Sequence, residues 1–212
     1  MTPPAILPNV PILPDALLLL DYVGIAVFAI SGALLAAEKK QTLVTFIFFA
    51  VVTGVGGGTV RDLLIGAPVF WVGSNATLLI CIAAGVAVWF LSRQTIAGQA
   101  LLWFDAIGLA AYATYGAAKA LNYGVAPVPA FAMGVMTACV GGIIRDVLAN
   151  EPSILMRPEL YVTAAALASG LFVALTLFGA PPALAALVAG LAGFSLRGAA
   201  IARGLSLPAY DR

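Results

Sequence analysis

With 63% hydrophobic and only 9% charged side chains over 212 residues, the chain carries far fewer charges than the roughly 25% of a soluble domain, and a water-soluble fold is excluded. Its net charge is +1 and its ten Lys and Arg residues are scattered between segments, so no basic patch exists to track phosphates and no nucleic-acid partner is expected. Histidine is absent, which removes the commonest metal ligand and general base; no cofactor is expected.

In chain order, residues 1–15 are rich in proline and contain no basic residue. A signal peptide, which needs a positive n-region, is therefore not expected, and the segment reads as extracellular. Apolar runs long enough to cross a ~30 Å hydrocarbon core follow at Ala16 to Ala37, Thr42 to Leu64, Gly73 to Leu91 and Leu101 to Leu121, then at Pro127 to Leu148, Pro158 to Phe178 and Pro182 to Ala202. The fold class is an all-α integral membrane protein of seven transmembrane helices, whose only obligatory partner is membrane lipid. Cys81 and Cys139 lie within apolar runs and read as inert small hydrophobes.

Alternation of sides places Lys39, Lys40, Arg93, Arg157, Arg197, Arg203 and Arg212 on one face, which is then cytoplasmic, with the N-terminus outside and the C-terminus inside. The expected location is the inner (plasma) membrane.

Compared with itself, the chain repeats. Asp21, Gly24, Gly32, Thr53, Gly57, Gly58, Arg61, Asp62, Leu64 and Pro68 recur as Asp105, Gly108, Gly116, Thr137, Gly141, Gly142, Arg145, Asp146, Leu148 and Pro152, each 84 residues later without a gap. Each copy holds three spans, so the second enters from the opposite side, and the copies are inverted repeats of the kind common among proteins that move solutes. The boundaries are 16–94 for the first repeat, 95–179 for the second, 180–203 for an unrepeated seventh helix and 204–212 for a cytoplasmic tail.

Glycines are concentrated in the second helix, at Gly54, Gly56, Gly57 and Gly58, and in the fifth, at Gly141 and Gly142. An interior glycine costs about 1 kcal/mol of helix propensity relative to alanine, so two readings stand. One is close helix packing through small residues; the other is a kinked helix whose freed carbonyls line a cavity. Arg61 and Arg145 fall on the glycine faces, three and four residues on.

From their distance along the helices, the two arginines are placed toward opposite membrane faces. The expected pairs are Asp21 with Arg61 and Asp105 with Arg145, each aspartate beginning its helix at the matching depth. Asp62 and Asp146, diverging by about 100° from the preceding arginine, are expected to be free to line a cavity and attract cations at the mouths of a pathway. Lys119 has no counterpart in the first copy, where Leu35 stands. It reads either as a gate or as a snorkelling lysine.

The duplicated Gly-x-x-Arg-Asp segment, the seven spans and the repeat of 84 residues resemble the prokaryotic branch of the trimeric intracellular cation (TRIC) channels. The resemblance covers residues 15 to 200. It implies a homotrimer with a pore in each protomer, lined by kinked second and fifth helices that meet near the middle, and permeant potassium or sodium ions. The family's kink glycines carry over to Gly56, Gly57, Gly58, Gly141 and Gly142, joined as pore candidates by Thr53 and Thr137, and its Arg-Asp pairs carry over to Arg61, Asp62, Arg145 and Asp146. Lys119 resembles a gating lysine of animal members.

Passive potassium conduction is thus the leading expectation, with a small secondary transporter working by alternating access as the alternative. An intramembrane enzyme is not expected, because no metal-binding motif or midplane carboxylate pair is present.

Overall fold

The computed structural model describes residues 14–91, 94–156 and 158–208. The proline-rich segment up to residue 13 and the orienting residues Arg93, Arg157 and Arg212 lie outside the described residues. The described residues form seven helices: α1 (Pro14–Glu38), α2 (Leu43–Leu64), α3 (Asn75–Leu91), α4 (Gln94–Asn122), α5 (Pro127–Leu148), α6 (Val162–Leu177) and α7 (Pro182–Arg203), with a 3-10 turn at Ile154–Met156. Proline at the first turn opens α5 and α7, where its missing N–H is not needed. Gly204 in the left-handed conformation, φ 64°, closes α7.

Residues 19–38 of α1, together with α2, α5 and α7, are each long and apolar enough to cross a bilayer. Helices α3 and α6 are apolar but have 17 and 16 residues, about 25 Å at 1.5 Å per residue. The fourth helix begins at Gln94 rather than Leu101. The polar run that reads as a break continues the helix instead, since a helix end outside the hydrocarbon can present polar side chains to water. The sixth begins at Val162 rather than Pro158, because the preceding segment is strapped to the chain end: the Leu207 N–H donates to the Pro158 carbonyl at 2.7 Å and Glu159 bridges to Ser206.

Helix α1 packs on α2, α3 and α4, and α4 in turn packs on α5 and α6, while α2 meets α5. The contacts are reciprocal, as a two-fold relation between the copies requires. A Cβ built on Gly24 would lie 2.4 Å from the Tyr112 ring, and one on Gly108 would lie 3.1 Å from the Phe28 ring; Tyr112 and Phe28 are themselves 84 residues apart. Gly32 faces Thr53 as Gly116 faces Thr137. Helix α7 stands outside this symmetry, against α4 and α6.

The loops after α2 and α5 match as well. Gly66 has φ 68° and its counterpart Asn150 has φ 53°, a left-handed turn that asparagine tolerates better than other side-chain-bearing residues. Gly66→Ala is expected to cost about 1 kcal/mol from this strain, and Asn150→Gly to leave the thermal melt of the detergent-solubilised protein nearly unchanged.

Candidate functional site: a glycine crossing between two buried charge clusters

At their centres α2 and α5 cross with the backbones in contact. A Cβ on Gly57 would lie 2.1 Å from the Thr137 carbonyl oxygen, and one on Gly141 would lie 2.6 Å from the Thr53 carbonyl oxygen. Both helices run unbroken through the glycines. Of the two sequence readings, the described geometry is that of close approach between helices; the chain is not unwound at Gly56, Gly57, Gly58, Gly141 or Gly142. The Thr137 hydroxyl donates to the Met133 carbonyl at 2.6 Å, while the buried Thr53 hydroxyl has no hydrogen-bond partner among the described residues.

On either side of the crossing sits an arginine, about 6 Å along its helix from the contacting glycine at 1.5 Å per residue. Arg61 and Arg145 are each 1% exposed. Both are therefore enclosed within the protein, Arg61 against Tyr115 and Phe70 and Arg145 against Asp105 and Ser31.

The α5 cluster contains the expected ion pair: Arg145 Nη1 lies 2.6 Å from Asp105 Oδ1 and also donates to the Ser31 hydroxyl. The α2 cluster does not follow suit. Arg61 makes no ion contact with Asp21 among the described residues; Asp21 is buried within electrostatic reach of Arg61 and Lys119, beside the Tyr115 hydroxyl. The repeats differ here at one position: where the second cluster has the small Ser31, the first has the equivalent Tyr115, whose hydroxyl lies beside Asp21 and over whose ring the Arg61 guanidinium stacks at 5.1 Å. Nor do Asp21 and Asp105 begin their helices, which start at Pro14 and Gln94.

Asp62 and Asp146 are not free, as the sequence suggested. Arg61 Nε donates to Asp62 Oδ1 and Arg145 Nε to Asp146 Oδ1, both at 2.9 Å. Neighbouring Cβ atoms do diverge around a helix, but the long arginine stem curls back so that its guanidinium reaches the adjacent carboxylate. The second oxygen of each aspartate anchors the loop that follows. Asp62 Oδ2 accepts from the Phe70 N–H and Asp146 Oδ2 from the Ile154 N–H, each at 3.0 Å. Lys119 is likewise paired, with Nζ 2.8 Å from Asp62 Oδ1, because α4 brings it onto the α2 cluster where leucine stands in the other copy.

The model of a family described as "Glycine transporter" matches residues 18–93 and again 102–177, two matches that start 84 residues apart. An Escherichia coli (strain K12) relative, the UPF0126 inner membrane protein YadS, is 43% identical over 148 residues, covering 68% of this chain and 72% of that protein. A UPF0126 membrane protein of Vibrio cholerae is 44% identical over 151 residues, and the match spans 63% of that relative's length. Among solved structures, the TRIC trimeric intracellular cation channel orthologue from Rhodobacter sphaeroides superposes with a TM-score of 0.86 at 44% identity, covering 90% of this chain and all of that one. A TRIC cation channel solved to explain conductance gives 0.81 at 32% identity over 95% of this chain. The chain belongs to the TRIC family. It is a membrane protein, and its solved relatives are channels rather than enzymes.

Against this TRIC frame, several residues of the two clusters were invisible to sequence reasoning. Phe70 packs into the Gly58 notch, 2.6 Å from where a Cβ would stand, under both Arg61 and Lys119 at 6.0 and 5.8 Å. Trp71 donates its indole N–H to Thr59 at 2.9 Å. Tyr161 and Arg197 lie at the α5 cluster. Ser31 and Tyr115 could have been found by asking where the repeats differ as well as where they agree.

A cavity of about 570 Å³ opens between α4, α6 and α7, lined by Ile107, Ala111, Phe172, Ala186 and Leu191 among others. It has no charged wall, so a dehydrating ion would find no compensation there, and the ion-pair clusters lie elsewhere. No group of side chains that could hold a metal ion occurs among the described residues.

Proposed function

We propose that this protein is a passive channel for monovalent cations, principally potassium, working as a homotrimer in the inner membrane with the N-terminus outside. Each protomer carries its own path along α2 and α5. The observation that carries this reading is the glycine crossing with one buried Arg-Asp cluster on each side, set in a fold shared at 44% identity with the Rhodobacter sphaeroides TRIC channel. Conduction requires the crossing to loosen. Gly57 and Gly141 allow this because backbone meets backbone there with no side chains interlocked, Gly56, Gly58 and Gly142 leave notches whose nearest occupants are the movable Ile144, Phe70 and Tyr161 side chains, and Thr53 and Thr137 offer oxygens to an ion entering the gap. Asp21 and Asp105 keep the two approaches attractive to cations, while the Lys119 pair with Asp62 holds one approach shut.

The description of the matching family favours a second reading, saturable uptake of glycine by alternating access of the inverted repeats. Purified protein in planar bilayers is expected to give ohmic single-channel potassium currents. In proteoliposomes, saturable uptake of labelled glycine with no current would overturn the channel reading in favour of transport.

A further inference from the structure

The two repeats close their glycine notches differently. In the first, the Gly58 notch is filled by the Phe70 ring. In the second, the group facing the Gly142 notch is the hydroxyl of Tyr161, 3.0 Å from where a Cβ would stand; at 3.5 Å from that point lie Arg145 Nη2 and Asp105 Oδ1. Tyr161 is 1% exposed and stands at the N-cap of α6, just outside the helix, with its hydroxyl beside the Asp105 carboxylate. A buried aromatic plug at a helix N-cap can leave its seat by rotation of its side chain, while its carbonyl still accepts from the Ala164 and Ala165 N–H groups and the helix stays folded.

What keeps it seated comes from outside the repeats. Arg197, on the unrepeated α7, lays its guanidinium over the Tyr161 ring at 5.3 Å. Its Nη2 is 2.6 Å from Glu159 Oε2, two residues before the tyrosine. Arg197 is 1% exposed, while its partner carboxylate is 31% exposed. Two of the guanidinium nitrogens, Nε and Nη1, have no hydrogen-bond partner among the described residues, so the contacts Arg197 makes there are with this ring and this carboxylate. Phe70 is held from within the repeats instead, under Arg61 and Lys119 at 6.0 and 5.8 Å and by its own N–H on Asp62, whereas the grip on Tyr161 comes from a helix that has no counterpart in the first repeat.

We propose that Tyr161 is the movable closure of the α5 end of the path, and that Arg197 is the positioning residue of α7 that holds it closed through the ring and Glu159. The role as a closure of an ion path rests on the channel reading above; the movement of Tyr161 does not.

The chain supplies its own reporter. Cys139 is buried within electrostatic reach of Tyr161, whereas Cys81 is buried in the other repeat behind Gly54; both are free thiols. With the full-length protein in proteoliposomes, modification of each cysteine by a small charged methanethiosulfonate is followed by peptide mass spectrometry. Arg197→Met is expected to speed modification of Cys139 about tenfold, the scale of a buried cation–π contact, and to leave Cys81 unmodified. Arg197→Lys, which keeps the cation, restores slow labelling. Glu159→Gln, a change at a partly exposed site, is expected to move Cys139 in the same direction and decides the matter if Arg197→Met exposes both cysteines by unfolding. Wild-type labelling of Cys139 in Glu159→Gln, or in an Arg197→Met protein that keeps Cys81 protected, overturns the proposal. In bilayers the same variants are expected to raise open probability and leave unitary conductance unchanged. Faster Cys139 labelling in a protein that passes no current would retain the closure and remove the channel.

Discussion

Replacing Gly57 by alanine is expected to be among the most damaging single-methyl changes in this protein. The added Cβ would stand 2.1 Å from the Thr137 carbonyl oxygen, and a backbone oxygen inside a helix cannot swing aside, so α2 and α5 must separate. Overpacking in a tight interior costs about 1–3 kcal/mol, and a backbone contact belongs at the upper end. Alanine returns about 1 kcal/mol of helix propensity, so the net loss is expected to be about 2 kcal/mol. At Gly56 the nearest atom is the end of the flexible Ile144 side chain at 3.2 Å. Gly56→Ala is therefore expected to be neutral or slightly stabilising. Thermal melts of the two variants in the same detergent decide: equal midpoints would mean that the helices do not cross at Gly57. Gly141→Ala, facing the Thr53 carbonyl at 2.6 Å, is expected to fall on the Gly57 side of that comparison. Any variant that parts the helices and still folds should also alter conduction, which links the packing of the crossing to its proposed use.

Asp62→Asn is expected to destabilise the protein far more than Asp146→Asn, although the two aspartates occupy equivalent positions in the repeats. Asp62 neutralises both Arg61 and Lys119, and Asp21, the other acid of that cluster, touches neither. Removing its charge leaves two cations facing each other in a buried site, a loss of about 3–5 kcal/mol by the standard of broken buried pairs. After Asp146→Asn, Arg145 keeps Asp105 at 2.6 Å and the Ser31 hydroxyl. Adding Lys119→Met to Asp62→Asn should recover part of the lost stability by removing one of the stranded charges. Equal losses at Asp62 and Asp146, measured as melting midpoints with trimer elution as the folding control, would contradict the asymmetry described above.

That asymmetry also marks the limit of what the sequence made legible. The repeat could be found because the residues that recur are glycine, proline and charged residues, which stand out from an apolar background. The consequences of its imperfections could not. Ser31 and Tyr115 are unremarkable in their own helices and matter only because both face an arginine from another helix. The same holds for Lys119, which looked unpaired because its partner, Asp62, lies 57 residues away in sequence. The glycine runs were ambiguous for a related reason. A notch that kinks a helix and a notch that admits a neighbour have the same composition, and only the position of the Thr137 and Thr53 carbonyls distinguishes them.

The sequence by itself determined that the chain lives in lipid, that seven helices form among the described residues, and that two inverted copies account for six of them. These follow from composition, the length of apolar runs and the odd number of spans per copy, all of which are properties of single segments. Tertiary structure alone decided which charges meet and which element closes each notch. Both arginines reach the aspartate that follows them, but only Arg145 also pairs with the aspartate of the preceding helix, while Arg61 stacks over Tyr115 of α4, and Tyr161 is gripped by α7, the one helix the repeat does not describe. Pairing inside a membrane protein depends on packing between helices distant in sequence, and local pattern carries no record of it.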